Sequence, residues 1–377
     1  MKKENSFMYA FKDNAFTPDD ASKGILLFLV FETAISLIYQ TIYTMGLTSS
    51  LFSYFFNILL DACFVLTVVI IAKNRKNDPV EALRIKKAPN VMQIILCLAT
   101  SLVCIFGFSA LTNCFLQVLY NVGYSSISSD IVIADFGSYI VYTLFVCVIP
   151  AVCEEVLFRG LIFTGLKKMG ATVGVLGSAF LFMIMHGSPD QTVHQFILGV
   201  ILALAFLITN NLWIPIIIHF FNNFIAVTYA FLAYGDSAST EVEVVEIYLS
   251  QYFIYALISS IIAGCLIYLI FKGFSNINLK RTGDISNEKL YNDNGTIGSE
   301  VEYRVLEASQ ELNVEDKILY DENLPAGQVY ANPEIIPDKS LLNNPNRMTS
   351  QGRFIMTISV IWLALDWCLA LISGFLI

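Results

Sequence analysis

Residues 148–163 read VIPAVCEEVLFRGLIF, two adjacent carboxylates and a guanidinium set inside an otherwise apolar run. A charge at the centre of a bilayer-spanning helix costs roughly 2.5–3.5 kcal/mol on insertion scales, so Glu154, Glu155 and Arg159 need partners. On a helix, Glu155 and Arg159 stand at i and i+4 with the acid N-terminal, the orientation that favours an ion pair. Glu154 is turned about 100° from that pair and requires some other polar surrounding.

The rest of the chain says that this run lies in a membrane. Of 377 residues 56% are hydrophobic and 14% charged, with a mean hydropathy of +0.66, values that describe an integral membrane protein. Apolar runs long enough to cross about 30 Å of hydrocarbon begin near Gly24, Ser50, Val91, Gly137, Thr172, Thr192, Asn211, Ile247 and Phe354. The expected fold is all-α, a polytopic transmembrane bundle of about nine spans. The first run follows a charged leader and is too long for a cleaved signal segment, so it reads as the first span.

Lysine and arginine concentrate after the second span (Lys73, Arg75, Lys76, Arg84, Lys86, Lys87), after the fourth (Lys167, Lys168) and after the eighth (Lys272). By the positive-inside rule those loops are expected to be cytoplasmic, with the N-terminus on the same side. The formal net charge is −9 and no basic patch occurs, which argues against nucleic acid as a partner. Eight cysteines are scattered singly through apolar runs without a CxxC, suggesting neither a disulfide framework nor a thiolate metal site.

Two later runs offer polar company for Glu154. FLFMIMHG (180–187) spaces Phe182 and His186 by one turn, and IPIIIHFFNNF (214–224) does the same for His219 and Asn223. Counted at about 1.5 Å per residue from the expected cytoplasmic ends, Glu154 and His186 lie roughly 20 Å deep, Asn223 roughly 18 Å and His219 about 12 Å. Polar groups from three helices therefore fall in overlapping layers. Pro150 and Pro215 each precede a polar residue by four and remove a backbone donor one turn before it.

Taken in order, Glu154-Glu155-x-x-x-Arg159, Phe182-x-x-x-His186 and His219-x-x-x-Asn223 resemble the motifs of the CPBP family of intramembrane proteases, which includes CAAX prenyl endopeptidases and proteins linked to bacteriocin immunity. The resemblance implies that Glu154 is the base that activates water, assisted by His186. It implies further that His219 and Asn223 donate to the oxyanion, with Glu155, Arg159 and Phe182 supporting them. Asn222 remains open as a substitute for Asn223. No cofactor is expected. The alternative is zinc or another divalent metal held by Glu154, His186 and His219.

The expected organisation is a leader at 1–23, N-terminal helices at 24–136, the catalytic core at 137–232, an eighth helix with its acidic loop at 233–272, a polar, partly disordered cytoplasmic segment at 273–352 with a short helix at 299–312, and a last helix at 353–377. The implied partners are the lipid bilayer and a membrane-associated protein or peptide substrate, and the expected location is a bacterial plasma membrane. Two other functions compete: a non-catalytic scaffold or immunity protein, and a proton-coupled transporter using Glu32, Asp61 and Asp366. His194 falls outside the motifs and is expected to be an interfacial or packing residue.

Overall fold

The computed structural model describes residues 16–47, 50–75, 82–85, 88–125, 133, 135–236, 249–290 and 347–376. Among them run nine helices: α1 (Pro18–Thr44), α2 (Ser50–Asn74), α3 (Val91–Asn121), α4 (Phe136–Met169), α5 (Ala171–Met185), α6 (Thr192–Thr209), α7 (Trp213–Asp236), α8 (Leu249–Leu290) and α9 (Ser350–Leu376). The expected short helix at 299–312 and most of the acidic loop lie outside the described residues. Residues 275–344 form a second unit, of which only the end of α8 is described.

Eight helices, or the apolar parts of them, are long and apolar enough to cross a membrane, and α5 is the exception. Its 15 residues reach about 22 Å, short of the roughly 30 Å of a hydrocarbon core. The chain breaks before it at Gly170, with φ 132°, and after it at Gly187, with φ 57°, a left-handed conformation that glycine adopts without strain. The fifth apolar run is thus a short helix that ends at His186 inside the bundle.

α4 is the axis on which the site is hung. From Glu155 to Leu166 every side chain on it is buried, as expected of a helix that is apolar all round except for one internal ion pair. α1, α2, α5, α6 and α7 all pack against it. Phe28 of α1 stacks on Phe64 of α2 with ring centres 4.3 Å apart, and Phe158 of α4 meets Phe182 of α5 edge to face at 5.1 Å. Such pairs contribute about 0.5–1.5 kcal/mol beyond area burial.

The ends of α1, α2 and α9 are joined by polar contacts. Thr17 and Asp20 form a reciprocal capping box at the start of α1, Arg75 at the end of α2 pairs with Asp20, and Asp19 accepts from the backbone N–H and hydroxyl of Thr349 at 2.9 and 2.7 Å.

α5 and α6 pack closely along their length. A Cβ placed on Gly199 of α6 would lie 2.9 Å from the Cα of Ala179, and a backbone atom cannot rotate out of the way. Gly199→Val is therefore expected to destabilise the protein by about 1–3 kcal/mol, read as a lower unfolding temperature in detergent. A transition unchanged from wild type would show that α5 and α6 do not meet this closely.

Candidate active site

α4 is not a regular helix. It is π-helical over Thr143–Val148 and again over Val156–Phe163, a wide turn often found at functional sites. Between the two lies Pro150, which has no N–H to offer the carbonyl four residues back, that of Val146. The side chain of Asn223 on α7 donates to that carbonyl from Nδ2 at 3.0 Å. A proline in one helix thus provides the acceptor that holds an amide from another.

Arg159 is fully buried and donates from Nη1 to Glu155 Oε1 at 2.7 Å and from Nη2 to the Gly199 carbonyl at 3.1 Å. Its guanidinium carbon lies 4.6 Å from the Phe182 ring centre and 5.9 Å from that of Phe158, so the cation is also held by aromatic faces. His219, 2% exposed, meets the same Glu155 Oε1 through Nδ1 at 3.0 Å. A carboxylate paired with arginine only accepts, so that ring nitrogen carries the hydrogen.

His186 donates from Nδ1 to the Phe182 carbonyl at 2.7 Å, which again fixes the hydrogen on Nδ1 because a carbonyl only accepts. The Phe182 ring stands between the two imidazoles, with centres 4.8 Å from His186 and 5.7 Å from His219. Both histidines therefore keep Nε2 as their second functional nitrogen.

Oε2 of both Glu154 and Glu155 is buried with no hydrogen-bond donor among the described residues. Glu154 differs from its neighbour in that Glu155 gives its Oε1 to Arg159 and His219, whereas neither of these holds Glu154. The charges within electrostatic range are His219, Glu155, Asp61 and Arg159. Asp61, on α2, is 9% exposed. A buried carboxylate oxygen without a donor is costly for folding unless something else requires it.

The residues singled out from sequence thus fall into two linked groups. Glu155, Arg159, Phe182, His186 and His219 touch one another directly, with Glu154 alongside, while Asn223 is fixed to the backbone of α4 just before them. Two neighbours were read from sequence in other roles, Asp61 as an acid of a transporter and His194 as an interfacial or packing residue. Asp61, on α2, is within electrostatic range of Glu154, a proximity no local pattern encodes. His194 lies on α6, where its Nε2 is 3.3 Å from the Nδ2 of Asn222. The short link between α5 and α6 is the signal that could have found it, since residues flanking a tight connection are brought together.

Residues 136–225, about a quarter of the chain, match the family model described as Type II CAAX prenyl endopeptidase Rce1-like. This segment is Rce1-like. No curated protein and no solved structure matches the chain. The Rce1-like segment begins with α4 and ends two residues after Asn223, so it contains all three motifs and His194, while Asp61 lies outside it. The chain is a multi-pass membrane protein with a segment similar to that family model. Among the described residues no three His, Cys, Asp or Glu side chains are grouped so as to hold a metal ion.

Arg159→Met would leave Glu155 charged and buried with only the His219 N–H beside it, and its expected cost is about 3–5 kcal/mol. The double variant Glu155→Gln/Arg159→Met removes both charges and is expected to recover most of that loss. Unfolding of the two variants and wild type, followed in detergent, checks this; equal stability of all three would show that the pair contributes nothing to the fold.

Proposed function

We propose that the protein is an intramembrane endopeptidase that hydrolyses a peptide bond of a membrane-associated substrate with a glutamate-activated water. The observation that carries this reading is the Glu154 carboxylate, one oxygen of which is buried without a donor beside a Glu155–Arg159 pair that is already neutralised. A base needs a lone pair that no structural contact has taken.

In this reading Glu154 removes a proton from water while the Nε2 of His186 accepts the other hydrogen of the same molecule. The water oxygen attacks the carbonyl carbon, and the resulting oxyanion accepts from His219 Nε2–H and from the second N–H of Asn223, the first being given to Val146. His219 donates from Nε2 only as the imidazolium, because Nδ1–H is already given to Glu155. With Glu154 ionised and His219 protonated, the two glutamates, the guanidinium and the imidazolium sum to zero, leaving Asp61 as the further acid within electrostatic range. Collapse breaks the C–N bond, and the proton on Glu154 passes to the leaving amine. Donors preorganised in a low-dielectric site supply the large electrostatic share of such a rate.

The lysine and arginine distribution supports an N-terminus on the cytoplasmic side. The substrate class is a peptide held at the bilayer, and the Rce1-like match extends the candidates to lipidated C-termini.

The test is cleavage of a pooled library of amphipathic and lipidated peptides by the purified full chain, wild type beside Glu154→Gln, with and without chelator. Fragments from wild type alone, unaffected by chelator and reduced at least about a thousandfold in the variant, are expected. Equal fragments from both proteins would remove Glu154 as the base. Loss on chelation would move the chemistry to a metal, and no fragments from wild type would favour the scaffold reading.

A further inference from the structure

Three helices meet in a string of side chains of which the catalytic reading uses only the last, Asn223. His194 Nε2 on α6 lies 3.3 Å from Asn222 Nδ2 on α7, Asn222 Nδ2 donates to Asn223 Oδ1 at 3.3 Å, and Asn223 Nδ2 donates to the Val146 carbonyl of α4 at 3.0 Å. Asn222 is 4% exposed, so its partners are those the protein supplies.

The direction of every bond in this string follows from its one fixed end. The Val146 carbonyl only accepts, so the nitrogen of Asn223 faces it and the oxygen of Asn223 faces Asn222. The nitrogen of Asn222 must then face that oxygen, which turns the same nitrogen towards His194. An amide nitrogen only donates, so His194 Nε2 accepts and the ring is neutral with its hydrogen on Nδ1. No amide can be reversed without setting two acceptors against each other.

We infer that His194 is a positioning residue of the site: through the lone pair of Nε2 it anchors Asn222, and Asn222 in turn fixes the amide plane of Asn223 so that its remaining N–H is aimed at the reacting carbonyl oxygen. Accepting a bond at Oδ1 also polarises the Asn223 amide and makes its N–H a stronger donor. The part assigned to Asn223 rests on the peptidase reading, whereas the anchoring of Asn222 by His194 stands on geometry alone. The protein therefore divides its three histidines between two tasks, two packed against Phe182 and one behind the asparagines.

Two measurements test this separately. The first needs no activity. The full chain labelled with 15N-histidine in detergent gives three ring systems, assigned by replacing each histidine in turn. His194 is expected as the neutral ring with an unprotonated Nε2, and Asn222→Ala is expected to shift that nitrogen while leaving His186 in place. A hydrogen on Nε2 of His194, or a spectrum indifferent to Asn222→Ala, overturns the inference.

The second uses the fastest-cleaved peptide of the library described above. His194→Leu is expected to lower kcat about ten- to hundredfold with KM within about twofold, a smaller loss than the 10²–10³ for deleting an oxyanion donor. His194→Gln, whose side-chain oxygen reaches the position of Nε2, is expected to restore most of the rate. The double variant His194→Leu/Asn222→Ala should be no slower than the worse single one, because both break the same string. A loss shared by KM, no rescue by glutamine, or additive losses would each overturn the positioning role. If wild type cleaves nothing, the peptidase reading fails and the ring spectra alone judge the anchor.

Discussion

One ion pair sets the terms for the rest of the bundle. Arg159 and Glu155 are fully buried in α4, with Glu155 Oε2 and Arg159 Nε left without a partner among the described residues, and desolvating two charges costs several kcal/mol each, which their other contacts must offset. The second guanidinium bond therefore goes to the Gly199 carbonyl, the second contact to the shared carboxylate oxygen comes from His219, and the face of the cation lies on Phe182. α5, α6 and α7 are each held to α4 by a contact with that pair. Their relative placement follows from it, including the close approach at Gly199.

Within this frame the site is assembled from what the backbone lacks. Pro150 leaves the carbonyl of Val146 without its helical donor, and Asn223 donates to it. Gly187 ends α5 inside the bundle, which puts His186 at a helix end where its ring bonds back to the Phe182 carbonyl. Each device substitutes a side-chain contact for a main-chain one, and each fixes the orientation of a group that a regular helix would leave to rotate.

The fold was largely legible in the sequence because the signal is local: nine apolar runs give nine helices, and the charges between them mark the loops. The length of α5 was less legible, since Gly170 and Gly187 act through backbone conformation and leave the hydropathy of the run unchanged. In the site, Glu155–Arg159 could be read from a spacing of four on one helix. The contacts of His219 with Glu155 and of His194 with Asn222, and the nearness of Asp61 to Glu154, could not, because they depend on how helices are rotated against one another. Nor do the π-helical turns of α4 have a clear sequence signature.

That Arg159 finds its carboxylate on its own helix has a consequence for how the chain is made. The pair can close as soon as α4 is synthesised, before α6 and α7 have left the ribosome, so the charges most hostile to lipid enter it already joined. Glu154 has no such local partner, and His219 reaches the neighbouring Glu155 only when the seventh helix arrives. The order of the polypeptide therefore delays assembly of the reactive centre until nearly all of its walls are in place, and a chain stalled midway would hold the ion pair without the groups that make the site.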